Sequence, residues 1–122
     1  MTPEVYFVHD FIKREYQEQL LSDLLRQDKR NAALARFCGA PRNWFDAAVV
    51  VDEPVLEFAD AEGAEAVIIS ADQYLNGMKS SMSGAVRIVL GLQEAAIVMT
   101  KRAAVVVAEA GKGNRKTLCV KR

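Results

Sequence analysis

Apolar residues recur every three or four positions through the first third of the chain, then in short runs for the rest of it. Val5, Val8, Ile12, Tyr16, Leu20 and Leu24 form a stripe at helical spacing, widened by Phe11, Leu21 and Leu25. The stripe predicts one long amphipathic helix. Its start is marked by Thr2 as a cap, Pro3 at the first helical position and Glu4 at the positive helix end. The charged run from Arg26 to Arg30 predicts a break. A second helix is expected from a capping Asn31, burying Leu34, Phe37 and Cys38 and ending at Gly39 in a left-handed conformation. Ala40-Pro41-Arg42-Asn43 reads as a loop.

From Phe45 onward the period changes. Ala47 to Val51 is a run of small and β-branched residues closed by Asp52-Glu53-Pro54. Val55 to Ala59 and Glu65 to Ser70 read as strands around an Asp60–Gly63 turn, with Gly63 at a positive φ. Residues 71 to 84 read ambiguously, as a helical turn followed by an exposed loop. Val86 to Leu90, Ala95 to Thr100, Ala103 to Glu109 and Lys116 to Lys121 complete a set of β-runs, with a hairpin signal at Gly111-Lys-Gly-Asn114. The pattern predicts one α+β domain over residues 1–122. N-terminal helices from about 3 to 38 pack on a curved, mainly antiparallel sheet from about 45 to 121, with at most one further helix among the strands.

At 122 residues and 51% hydrophobic composition the chain can bury a core without staples. No apolar run reaches the ~18–20 residues that span a bilayer. Charged residues interrupt the N-terminal apolar positions before a secretory core forms, so the expected location is the cytoplasm. Cys38 and Cys119 form no C-x-x-C pair and read as thiols without redox chemistry. The formal net charge is zero, which argues against nucleic acid as a partner.

That zero hides sorting. Between Asp46 and Asp72 stand eight acids and no Lys or Arg. From Lys79 onward there are nine bases against Glu94 and Glu109. Either acidic and basic strands are neighbours in the sheet, each opposed pair contributing roughly 0.2–1 kcal/mol, or one patch steers a partner of opposite charge. Asp52, Glu53, Asp60 and Glu62 surround the expected turns, so they are the candidate contacts for a protein with a basic face. Trp44 and Tyr74 are candidate aromatic anchors, or ordinary core.

Catalytic signals are sparse. Gly77-Met-Lys-Ser-Ser81 and Gly111-Lys-Gly do not fit a phosphate loop, and Ser81-Met-Ser-Gly84 is no nucleophile elbow. One histidine and scattered acids give no metal-ligand spacing, and no cofactor is expected. His9 falls near the middle of the apolar stripe. It reads as a core or rim residue, or as a proton carrier at a pocket mouth if Asp46, Asp52 or Asp72 lies within hydrogen-bond reach.

The order of long helix, short helix and antiparallel sheet, with Phe11-Ile-Lys-Arg-Glu-Tyr16 and Ala33-Leu-Ala-Arg-Phe37 in the helices, resembles the NTF2-like cone fold. One departure is that the last residues, to Cys119-Val-Lys-Arg122, lack the W-x-I/V pattern common on the final strand of such domains. The resemblance implies a pocket between helices and sheet. It also implies either a small isomerase, dehydratase or cyclase or a non-catalytic binding protein, immunity proteins against bacterial toxins among them. The expectation is a small bacterial binding protein that meets a protein partner. Enzyme chemistry at His9 is the first alternative, and a homodimer through the sheet face the second.

Overall fold

The computed structural model describes residues 2–110 and 116–122. The hairpin signal at Gly111–Asn114 lies outside them. The described residues form five α-helices: α1 (Pro3–Phe11), α2 (Arg14–Leu25), α3 (Gln27–Gly39), α4 (Val55–Ala61) and α5 (Met82–Leu90). They also form six strands: β1 (Val50–Val51), β2 (Glu65–Ser70), β3 (Lys79–Ser81), β4 (Ala96–Met99), β5 (Ala103–Val107) and β6 (Thr117–Lys121). The strands pair in the order β1-β6-β5-β4-β2-β3, antiparallel throughout. The α+β class expected from the periodicity is the class observed.

Every residue of β4 and β5 is buried. An antiparallel strand usually alternates, because one face meets water. Here both faces are covered. Ile69, Ile97, Met99, Ala104, Val106 and Val120 face a core shared with α1, α2 and α3. Ile68, Val98, Val105, Val107 and Cys119 face a second core shared with α4 and α5. The molecule is therefore three layers, and the apolar runs of β4 and β5 are continuous for that reason.

The single long N-terminal helix is in fact two. Ile12 is extended at φ −86°, ψ 140° and bridges Phe45, while the Lys13 N–H donates to the Trp44 carbonyl at 2.9 Å. A three-or-four spacing survives a tight kink, so the stripe ran through the break unmarked. The second helix starts at Gln27, not Asn31. Phe7 is fully buried and touches Phe11, Phe37 and Phe45 with ring centroids 5.6, 5.9 and 6.2 Å away. The stripe had omitted it.

Two expected strands are helices. Val55 to Ala61 is α4, following Pro54, with Val55, Phe58 and Ala59 on one face. Met82 to Leu90 is α5, and the Ser81 hydroxyl accepts from the Gly84 N–H at 3.0 Å as its cap. Their β-branched residues suggested strands, but the buried positions Met82, Ala85, Val86 and Val89 keep helical spacing. In the Ala47–Val51 run only Val50 and Val51 are strand, and Ala47–Val49 is a 3-10 turn. Neither Gly39 nor Gly63 has a positive φ; among the described residues Gly77 alone does, at +85°. There Ile68 accepts from the Gly77 N–H at 2.8 Å and donates to the Met78 carbonyl at 3.0 Å. Two residues thus oppose one, a bulge of the kind that takes glycine at its first position.

Candidate functional groove

Of the three helices on one face, α1 and α3 pack on the strands and α2 packs on them from outside. Two helices each about 10 Å wide cover about 20 Å of a sheet about 24 Å across its strand axes, and α1 and α3 leave one side of it open. The uncovered strip lies over β2 and β3. It forms an open groove of about 700 Å³ bounded by Pro3, Tyr6 and Asp10 of α1, by β2 and β3, and by Met99–Lys101 at the end of β4. Strand register builds the floor, since Met99 pairs with Val67 and Val67 with Lys79. Tyr6 forms one wall and remains 47% exposed. The lip carries Lys79 and Lys101, both exposed and neither in an ion pair among the described residues. Asp10, on the opposite lip, is held by Arg122 at 3.1 Å.

Sequence reasoning missed this groove. Its one legible signal was Tyr6, a large aromatic off the helical stripe. The short edge strand after a positive-φ glycine could not be placed beside α1 without the strand order.

The residues singled out from sequence are dispersed. His9 is exposed, because the buried face of α1 is Glu4, Phe7, Val8 and Phe11. At roughly 100° per residue His9 stands about 140° from Glu4 around the helix. Its ring has no carboxylate at ion-pair distance among the described residues, and it does not line the groove. Asp46 is exposed at the start of the Ala47–Val49 turn. Asp72 shapes the loop after β2 by accepting the Tyr74 N–H at 2.8 Å. Asp46 and Asp52 flank β1, at the opposite sheet edge from β3. Trp44 is half-buried, its ring 5.1 Å from Tyr16 and 5.3 Å from Phe37, and so forms the rim of the core. Tyr74 is 82% exposed, on the loop whose Gly77 lines the groove.

The four acids chosen as partner contacts divide. Asp60 lies in α4, where its carboxylate accepts from the Ser83 hydroxyl at 2.6 Å and pairs with Arg87 of α5 at 3.2 Å. The Ser83 hydrogen bond first, and Arg87 second, hold its carboxyl below the usual aspartate range. Arg87 also donates to Ser83. Glu62 is half-buried and pairs with Lys121 at 2.8 Å. These pairs join a helix to a helix and a loop to a strand, so the charge sorting along the sequence is only partly resolved by structural pairing, and not between neighbouring strands. Asp52 and Glu53 are exposed, Asp52 facing an exposed Arg42 at 3.8 Å.

One part-buried ionic centre joins elements that also bound the groove. The Arg30 guanidinium donates to the carbonyls of Leu24 at 2.9 Å and Ser70 at 3.0 Å and to Asn76 Oδ1 at 2.5 Å. It pairs with the buried Glu4 at 3.0 Å. This ties α1, the α2–α3 junction, the end of β2 and the 71–78 loop together. Burial, and secondarily the Glu53 charge, push the Cys119 thiol up to about 11. Among the described residues no cluster of three or more His, Cys, Asp or Glu side chains is placed to hold a metal ion, and no helix is long and apolar enough to cross a membrane.

The chain matches no protein-family model, no curated protein and no solved structure.

Proposed function

We propose that this protein is a non-catalytic binding domain that docks another protein along the groove between α1 and the β3 edge. The observation that carries the reading is the open strip itself. Val67, Tyr6 and Pro3 are left partly exposed side by side over a floor of Met99, while every other apolar strip of the sheet centre is roofed. Apolar surface grouped in a concavity is the usual mark of an interaction site, whereas single exposed apolar residues are ordinary. Tyr6 has the amphipathic ring that anchors interfaces. The α+β architecture of helices on an antiparallel sheet is compatible with a cone-like fold, whose members include non-catalytic binding proteins.

A second contact is favoured by the exposure of Asp52, whose side chain is 92% exposed and whose Arg42 pair between two solvated groups is worth little. With Glu53 beside it, this corner suits a partner bearing a basic contact face. The experiment compares affinity capture by wild type, Tyr6→Ser, Asp52→Lys/Glu53→Lys and the control Leu25→Ser, read by mass spectrometry across a salt series. A partner retained by the control and lost with Tyr6→Ser supports the groove, and one that weakens and loses salt dependence with the double reversal supports the acidic corner. The same partners at the same yield from all four proteins contradict both.

A further inference from the structure

We infer that the groove edge takes an extended acidic segment of the partner, added as a further strand on β3, with an apolar side chain turned over the sheet toward Val67 and a carboxylate beside Lys79, in the field of Lys101 across the groove. The inference rests on the reading of the groove as a docking site and names its occupant. It comes from the register and from the charges at the lip.

In an antiparallel pair, hydrogen-bonded and non-bonded residue pairs alternate. Ile68 bonds across to Gly77 and Met78, so Val67 and Lys79 form a non-bonded pair, and Ala66 and Ser80 the next bonded one. The Lys79 N–H and C=O therefore point away from β2, toward the open side. β3 is an edge strand, so these groups are offered to any extended chain laid beside it. Side chains of an added strand alternate between the two sheet faces, and every second one turns toward the groove. A lysine at the start of a three-residue edge strand discourages indiscriminate strand pairing. The same charge selects an incoming segment that carries a carboxylate. Lys101 stands on the opposite side of the Val67–Met99 floor, and Arg102 follows it in the β4–β5 turn. Against these bases Asp10 is already neutralised by Arg122, which leaves Glu65 as the remaining acid at the groove. The uncompensated charge at the lip is positive, and the complementary occupant is acidic.

The test is selection of a displayed random peptide library on the full chain, followed by synthesis of the enriched peptide. The expected consensus has apolar residues at alternating positions next to Asp or Glu. Its affinity should fall on the order of tenfold with Lys79→Glu/Lys101→Glu and weaken with salt. N-methylation at the one peptide residue that bonds Lys79 should cost about tenfold, and methylation of its neighbours much less. Amide spectra of each variant verify folding, and the N-methyl series leaves the protein untouched. An enriched peptide that is neutral or basic, or that ignores both lysine reversal and N-methylation while Tyr6→Ser abolishes binding, overturns the acidic-strand inference and leaves groove docking standing. No enrichment, or enrichment unaffected by Tyr6→Ser, overturns both. A dimer that sedimentation detects and Tyr6→Ser dissociates seats a second copy in the groove, and overturns the inferred occupant.

Discussion

Removing the Arg30 guanidinium is the sharpest perturbation the structure offers. Its side chain is only 16% exposed and that of its partner Glu4 only 5%, so the pair is held largely out of water. Arg30→Met keeps much of the aliphatic stem but strands the Glu4 carboxylate and takes the donor from the Leu24 and Ser70 carbonyls. Breaking a buried pair from one side typically costs about 3–5 kcal/mol, because an uncompensated charge remains inside. For a chain of this length that corresponds to a fall of about 10–25 °C in Tm. Glu4→Gln in the same background removes the stranded charge and should recover on the order of 1–2 kcal/mol, the size of a coupling between contacting groups. Arg30→Lys should rescue poorly, since one ammonium cannot span a carboxylate, two carbonyls and an amide held in different directions. Urea unfolding of the four proteins reads these differences. A loss below about 1 kcal/mol for Arg30→Met, or no recovery with Glu4→Gln, refutes the reasoning that this centre joins the layers.

Other outcomes follow from single sites. Gly77→Ala meets no atom within 4 Å, so its whole cost is the left-handed backbone, about 1–2 kcal/mol by urea unfolding, and Gly77→Asn should cost less; equal stability of all three contradicts the bulge. Cys119, with its thiol pushed up to about 11, and the buried Cys38 should both resist a thiol reagent at pH 8 until the chain is unfolded, and rapid labelling of native Cys119 contradicts its burial. Asp60 is held below its ordinary value of 3.8, so its stabilising contribution is present above that value and disappears as the pH falls through its lower folded-state pKa. Ser83→Ala should raise the Asp60 midpoint in a carboxyl NMR titration, and an unchanged midpoint removes the Ser83 hydrogen bond from the explanation.

The central strands were legible because β4 and β5 are buried on both faces, which writes an uninterrupted apolar run into the sequence. The helices α4 and α5 were not, although Val55, Phe58, Ala59 and Met82, Ala85, Val86, Val89 carry helical spacing. Their lengths of 7 and 9 residues give few periods, and Val55 in one and Val86, Ile88 and Val89 in the other carried a strand propensity that outweighed pattern. The kink at Ile12 depends on a bridge to Phe45, a contact over 33 positions that local reading cannot supply. The groove is a property of strand order. Tyr6, Val67, Lys79 and Met99 come from four separate elements of the chain, and nothing in any one of them marks it as a neighbour of the others. Asp52, Glu53, Asp60 and Glu62 were singled out by their place around the expected turns, and that local placement could not foresee that Arg87 and Lys121 would engage Asp60 and Glu62 while leaving Asp52 and Glu53 exposed.

The most direct measurement is site-specific photo-crosslinking inside the source cells. A benzophenone amino acid replaces Tyr6 or Lys79 at the groove, or Leu25 or Ile88 on exposed helix surfaces elsewhere. Docking in the groove gives one adduct of the same mass from positions 6 and 79 and none from 25 or 88. Absence of an adduct at both groove positions, or the same adducts from all four, contradicts the proposed binding site.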